Sequence, residues 1–436
     1  MFFIQFLILL TCIFIGARIG GVGLGVMGGV GLSIFVFVFG LQPTSPPIDV
    51  LLMILAVITA AGSLQAAGGM DYLVSLAEKA LRKNPKNITF VAPIVTYLFT
   101  LCAGTGHVAY SVLPVIAEVA RESRIRPERP LSIAVIASQQ AITASPISAA
   151  TVAMVAMLSD YKIGLLNILM ICIPSTFIAC MIGAFVASKM GKELDEDEEY
   201  LRRLQAGFDT QVTMVEKKVD SHSKRSVWLF LLATLVVVIL GSFESLRPGW
   251  NVDGEFVRLS MPQVIEIVML SVSALIILVC KPSIEDITSG SVFKAGATAI
   301  VAIFGIAWMG DTFINGNMET IQGSIMDMVT AAPWLFALAL FVLSILLYSQ
   351  AATVRALMPL GIALGISPMM LIAMFPAVNG YFFIPNYGTI VAAINFDRTG
   401  TTRIGKYILN HSFMIPGLVA TIGAVGIGLL LATLLY

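Results

Sequence analysis

Two apolar runs, one in each half of the chain, are interrupted in the same way, and this pairing limits the folds the sequence can adopt. In the first half Val112-Leu113-Pro114-Val115-Ile116-Ala117 is followed by an apolar run broken at Thr143-Ala144-Ser145-Pro146. In the second half Leu357-Met358-Pro359-Leu360-Gly361-Ile362 is followed by a run broken at Ile384-Pro385-Asn386-Tyr387-Gly388-Thr389. An unwound backbone is tolerated at membrane depth only where protein or a watery cavity satisfies its N–H and C=O groups. Matching breaks in two membrane halves point to a transport site between them.

Composition supports the membrane assignment. Of 436 residues, 58% are hydrophobic and 12% charged, about half the charge fraction of a soluble domain. Apolar stretches of the ~20 residues needed to cross a bilayer recur along the chain. The formal net charge is +0, which offers nothing to a nucleic acid. The five cysteines (Cys12, Cys102, Cys172, Cys180, Cys280) have no metal-like or paired spacing. The first run, Phe2 to Gly16, lacks a basic leader and a small-residue cleavage site, so it is expected to be a mature helix. No phosphate-binding glycine loop, zinc-protease helix or intramembrane protease pair is evident, and an enzyme is not expected.

Lys and Arg cluster at Arg18, Lys79 to Lys86, Arg121 to Arg129, Lys189 to Arg225, Lys281 to Lys294 and Arg398 to Lys406, whereas 42–49, 315–333 and 365–368 contain none. Lys162, Arg247 and Arg258 depart mildly from the pattern. With the basic loops cytoplasmic, both termini fall outside. The run 88–120 then has both ends inside and bends near Ala103-Gly104-Thr105-Gly106, whereas 334–365 has both ends outside and bends near Ser349-Gln350. The expected fold is an all-α integral membrane protein, an inverted-topology repeat with about ten transmembrane helices and two re-entrant helical hairpins. The first repeat spans 1–190 (three spans, hairpin 88–120, broken span 131–159, span 163–190). A cytoplasmic linker occupies 191–226. The second repeat spans 227–436 (three spans, hairpin 334–365, broken span 369–397, span 413–436). Amphipathic stretches at 71–84 and 317–331 precede the two hairpins and are expected to lie in the interface.

Broken helices expose N–H groups at half-helix starts, and these can hold an anionic solute without a fixed charge. The candidate substrate contacts are Thr105, Gly106, Thr143, Ser145, Pro146, Thr353, Arg355, Pro385, Asn386 and Thr389. Arg355 is a buried cation that could clamp a carboxylate; pairing with an acidic residue is the structural alternative. His107, Ser148, Ser349 and Gln350 are candidates for proton or cation coupling, with sodium near Gly104 and Ser349 if that ion is used. The plain alternative for the Ser and Thr residues is back-bonding within their own helices.

The motifs Gly16-Ala17-Arg18, Gly68-Gly69-Met70-Asp71, Ala103-Gly104-Thr105-Gly106-His107, Ile142-Thr143-Ala144-Ser145-Pro146, Tyr348-Ser349-Gln350-Ala351-Ala352 and Asp397-Arg398-Thr399-Gly400-Thr401-Thr402 together resemble the Dcu family of anaerobic C4-dicarboxylate transporters, within the ion transporter superfamily, over nearly the whole chain. The resemblance implies antiport or cation-coupled transport of fumarate, succinate, malate and aspartate across a bacterial inner membrane, with Na+ or H+ as the coupling ion and no organic cofactor. It also implies elevator-like motion and, from the superfamily, a homodimer. The alternatives are a membrane sensor or co-regulator, with the linker contacting a sensor-kinase partner, and a transporter of another acid such as citrate.

Overall fold

In the computed structural model the chain is almost entirely helical. Residues 1–19, 21–46, 48–161, 163–207, 220–252, 255–318, 320, 332, 334–347, 349–385, 387–405 and 409–435 are described, apart from the side chains at 17, 49, 50, 107, 242, 252, 255 and 346. The stripe expected at 317–331 lies outside them, except for its first residues.

The first half opens with α1 (Phe2–Ile19), α2 (Gly23–Phe37) and α3 (Ile48–Ala66). The chain then turns by 70° at Gly68, whose φ of +76° only glycine adopts readily, into α4 (Gly69–Lys83). That helix buries Ala77 and Leu81 and leaves its basic residues outward, as its sequence pattern requires. Next come the paired helices α5 (Ile88–Ala103) and α6 (Ala109–Glu122), the interrupted pair α7 (Glu128–Gln140) and α8 (Ala149–Leu158), and α9 (Leu165–Ala187). A short α10 (Glu198–Gln205) follows.

The second half repeats this order. It contains α11 (Ser221–Ser242), α12 (Met261–Cys280), the short α13 (Ile284–Ser289), α14 (Ser291–Gly316), the paired α15 (Trp334–Leu347) and α16 (Gln350–Ala363), the interrupted α17 (Pro368–Met374) and α18 (Gly388–Phe396), and α19 (Met414–Leu435). Pro114 lies inside α6 and Pro359 inside α16, the returning helix of each pair. A two-stranded antiparallel hairpin, Gly249–Val252 with Glu255–Arg258, lies between α11 and α12 and adds a small β element to an all-α expectation.

Among the described residues six helices are long and apolar enough to cross a bilayer unaided, or up to seven if the bent pair α3–α4 counts as one span. That is fewer than the ten expected, because the broken helices and several others are individually short. With its preceding turn the first hairpin arm makes an apolar stretch of 19 residues, longer than a half-membrane arm needs. It forms a hairpin because Gly104 reverses the chain and α6 returns beside α5. The second break also starts earlier than 384: regular helix ends at Met374, followed by 3-10 turns at Phe375–Val378 and Gly380–Phe382. Pro376 has no N–H to continue the ladder there.

The helices sort into two bodies. One contains α1–α4 and α11–α14, tied across the chain by hydrogen bonds such as Ser63 with Ser273 (2.7 Å) and Gln65 with Ser291 (2.8 Å). The other contains α5–α9 and α15–α19, in which α9 packs along α19 and α5 along α7. Large apolar side chains on the outer faces, including Trp228, Leu278 and Ile422, are exposed. Such a surface matches a hydrocarbon surround rather than water.

Candidate functional site

A cavity of about 470 Å³ opens between the two bodies, within the size range of small-molecule sites. One wall is Gly16, Leu24, Ile54, Ile58, Gly296 and Thr298, from α1–α3 and α14. The opposite wall brings together the first bend (Ala103, Gly104, Thr105, Gly106), the first break (Ile142, Ile147, Ala149, Ala150), the second bend (Leu347, Ser349, Gln350, Ala351) and Tyr387 of the second break. Among the described residues no charged side chain is in this lining.

Each bend is held by its neighbouring broken helix. In the first half α5 ends at Gly104, φ +72°, where a side chain would be strained and would also press on Ile147. Thr100 hydrogen-bonds Ser138 of α7 (2.8 Å), and Ser145 in the break donates to the carbonyl of Leu101 (2.7 Å). In the second half Ser344 of α15 accepts from the N–H of Gly380 (2.8 Å). The last two bonds satisfy backbone groups at the end of α5 and in the second break.

Two helix N-termini from opposite halves face the same cavity. The first is α8: Ser148 caps it by accepting from the N–H of Thr151 (3.1 Å), a contact worth about 1 kcal/mol. The second is α16, where Ser349 accepts from the N–H of Ala352 (3.2 Å). The amides of Ala149 and Ala150, and of Gln350 and Ala351, fall in first turns, where α-helices supply no internal acceptor, and all four residues line the cavity. The positive ends of two helix dipoles therefore converge on it.

The sequence candidates divide accordingly. Gly104, Thr105, Gly106, Ser349 and Gln350 line the cavity. Thr143, Ser145, Pro146, Ser148, Thr353, Arg355, Pro385 and Thr389 are buried outside that lining. Several of their hydroxyls hydrogen-bond backbone: Thr143 donates to Gln140 O (2.8 Å), Ser148 to Ile142 O (2.5 Å) and Thr353 to Ser349 O (2.8 Å). The Thr389 hydroxyl is buried without a hydrogen-bond partner among the described residues. Arg355 is 8% exposed, on the second turn of α16, within electrostatic reach of Asp311 of α14. Asn386 and the side chain of His107 lie outside the described residues.

The sequence reading missed a chain of buried carboxamides behind the bends. Gln350 Nε2 donates to Gln139 Oε1 (2.9 Å) and Asn379 Oδ1 (3.1 Å). Asn379 Nδ2 donates to Gln140 Oε1 (3.1 Å), and Gln140 Nε2 to Thr421 (2.9 Å). Three of these four links join residues of different halves, and the fourth joins the second bend to the second break. The available signal was Ser138-Gln139-Gln140, a polar triplet just ahead of the first break.

On the basic-loop face, Arg126 is 3% exposed and bonds both Glu128 (2.5 Å) and Asp197 (2.5 Å). Burial disfavours the Asp197 charge, but the N–H of Tyr200 and the guanidinium of Arg126 outweigh it and hold the carboxyl below its usual range. Ser412 donates to Glu128 (2.6 Å), and Arg203 to the carbonyl of Arg398 (3.0 Å). The start of the linker is thereby fastened to the body that carries the hairpins.

The family model described as "Anaerobic c4-dicarboxylate membrane transporter" matches residues 1–436. The chain is 44% identical to the C4-dicarboxylate transporter DcuA of Wolinella succinogenes, over 99% of each protein. It is 44% identical to DcuA of Escherichia coli strain K12, also over 99% of each. Identity to the anaerobic C4-dicarboxylate transporter DcuB of Escherichia coli O157:H7 is 43%, over 96% of each. Among solved structures the Alcanivorax borkumensis YdaH transporter, noted for an unusual topology, superposes with a TM-score of 0.55 at 16% identity, covering 88% of this chain and 84% of that one. That likeness concerns the fold.

Proposed function

Because the chain belongs to the anaerobic C4-dicarboxylate membrane transporter family, we propose that it carries fumarate, succinate, malate and aspartate across a bacterial inner membrane by alternating access. The observation that carries this reading is the cavity, free of charged side chains among the described residues, onto which two capped helix N-termini, one from each half, converge. A C4-dicarboxylate has two carboxylates a short carbon chain apart, and each would meet one set of first-turn amides: Ala149 and Ala150 with Thr105, and Gln350 and Ala351 with Ser349. Dipolar donors hold an anion without a full countercharge, so release on the other side stays feasible.

In this reading Arg355 lies behind the α16 terminus and adds positive field there, with Asp311 balancing it. Thr143, Ser145, Ser148 and Thr353 act on the backbone that presents the amides rather than on the substrate. The body α5–α9 with α15–α19 moves against α1–α4 and α11–α14 in an elevator-like stroke, and α4 serves as one connecting arm. The basic loops and the linker 191–226 are cytoplasmic, so both termini are periplasmic. Exchange of one dicarboxylate for another fits a site that prefers to hold a dianion, with Na+ or H+ symport as the competing mode.

The test is counterflow in proteoliposomes of the purified protein. Preloaded fumarate should drive accumulation of labelled succinate, and citrate should not replace it. Sodium or a pH gradient should alter the rate only if symport operates. No flux of any dicarboxylate would overturn the transport reading and favour a sensor role.

A further inference from the structure

The carboxamide of Gln139 is wedged between the two bends. On one side it presses on Gly106: a Cβ built there would stand 2.3 Å from Gln139 Nε2, so a side chain there would displace the amide. On the other side its Oε1 accepts from Gln350 Nε2 at 2.9 Å. Gly106 and Gln350 both line the cavity, while Gln139 sits behind it, 1% exposed, on the last turn of α7. Gln350 is locked from a second direction by Asn379 (3.1 Å). One buried amide group thus touches both bends.

We propose that Gln139 is a specificity-determining positioning residue: it acts as the spacer between the two bends and selects the chain length of the dicarboxylate. This rests on the reading above, in which each carboxylate is held at one bend. The spacing of two anion sites then has to match the spacing of two carboxylates. A rigid, fully buried amide in contact with both bends fixes that spacing better than flexible side chains in the lining could. Gln139→Asn withdraws the amide by one methylene, so it cannot touch Gly106 and reach Gln350 together. The bends then close up, and the site suits a shorter acid.

The experiment is competition of unlabelled malonate, succinate and glutarate against labelled succinate counterflow, in the unmodified protein and in Gln139→Asn and Gln350→Asn, with thermal unfolding in detergent as a check of folding. In both variants the preference for succinate over malonate should fall by about tenfold, the low end of what one misfit methylene is worth in a shaped site. A loss of transport equal for all three acids, or an unchanged preference, would overturn the spacer role. So would failure of both variants to fold, which would make the amide a folding element. If the unmodified protein transports none of the acids, the underlying reading fails and the spacer with it.

Discussion

At the residue scale the bends depend on backbone features that a single methyl group would disturb. Gly104 at φ +72° is the αL stop of α5, and its Cβ would also crowd Ile147 Cγ1 at 3.0 Å. Gly104→Ala should therefore cost about 1–2 kcal/mol in stability and lower dicarboxylate affinity, as read by thermal unfolding and by counterflow. A variant as stable and active as the parent would show that the turn does not need glycine. Sequence identified this glycine as a bend through its neighbours, Ala103-Gly104-Thr105-Gly106. It did not show which hydroxyls would be consumed by carbonyls: Thr143, Ser148 and Thr353 look like ligands in a one-dimensional reading, and only the folded breaks reveal their acceptors. The carboxamides of Gln139 and Asn379 were missed for the converse reason. Their partners lie far away in sequence, and a polar residue inside an apolar run does not say which way it faces.

At the scale of elements, the periodic and broken segments were legible because membrane burial leaves few alternatives to a helix. The bends at Gly104 and Ser349 follow from local chemistry, glycine in one case and a serine cap in the other. The early unravelling at Phe375–Val378 was less legible, since it depends on how Pro376 and Asn379 pack behind α16. The docking of α10 was not legible at all, because Glu193 to Glu199 reads as a solvated acidic face until Arg126 is placed beside Asp197. That clasp carries its own prediction. Arg126→Met leaves Glu128 and Asp197 without their shared partner and should destabilise the protein by about 3 kcal/mol. Asp197 is held below its ordinary value of 3.8. Its contribution is therefore present above that pH and lost as pH falls through the lower, folded value. Protection from hydrogen exchange at 193–205, relative to unstructured chain at the same pH, should stay high from neutral pH down to about 3.8 and fall below it, and in Arg126→Met it should be low throughout. High protection in the variant would mean that the linker is held elsewhere.

At the scale of the molecule, charge asymmetry and the paired breaks carry the two-half organisation, and the cavity lies where elements of both halves meet. Its position between two helical bodies has no signature in the sequence, because the wall from α3 and α14 is made of ordinary apolar and small residues such as Ile54, Ile58 and Gly296. What the halves share is the construction of their bends: a helix, a reversal, a returning helix with an internal proline, and a broken helix behind it. The central claim is that both bends hold one and the same substrate molecule. It is tested most directly by substrate protection of single cysteines placed at Thr105 and at Ser349, in a background in which Cys12, Cys102, Cys172, Cys180 and Cys280 are replaced. Succinate should slow thiol modification at both positions with the same half-protecting concentration. Protection at one position only, or at two clearly different concentrations, would contradict a single site shared by the two halves.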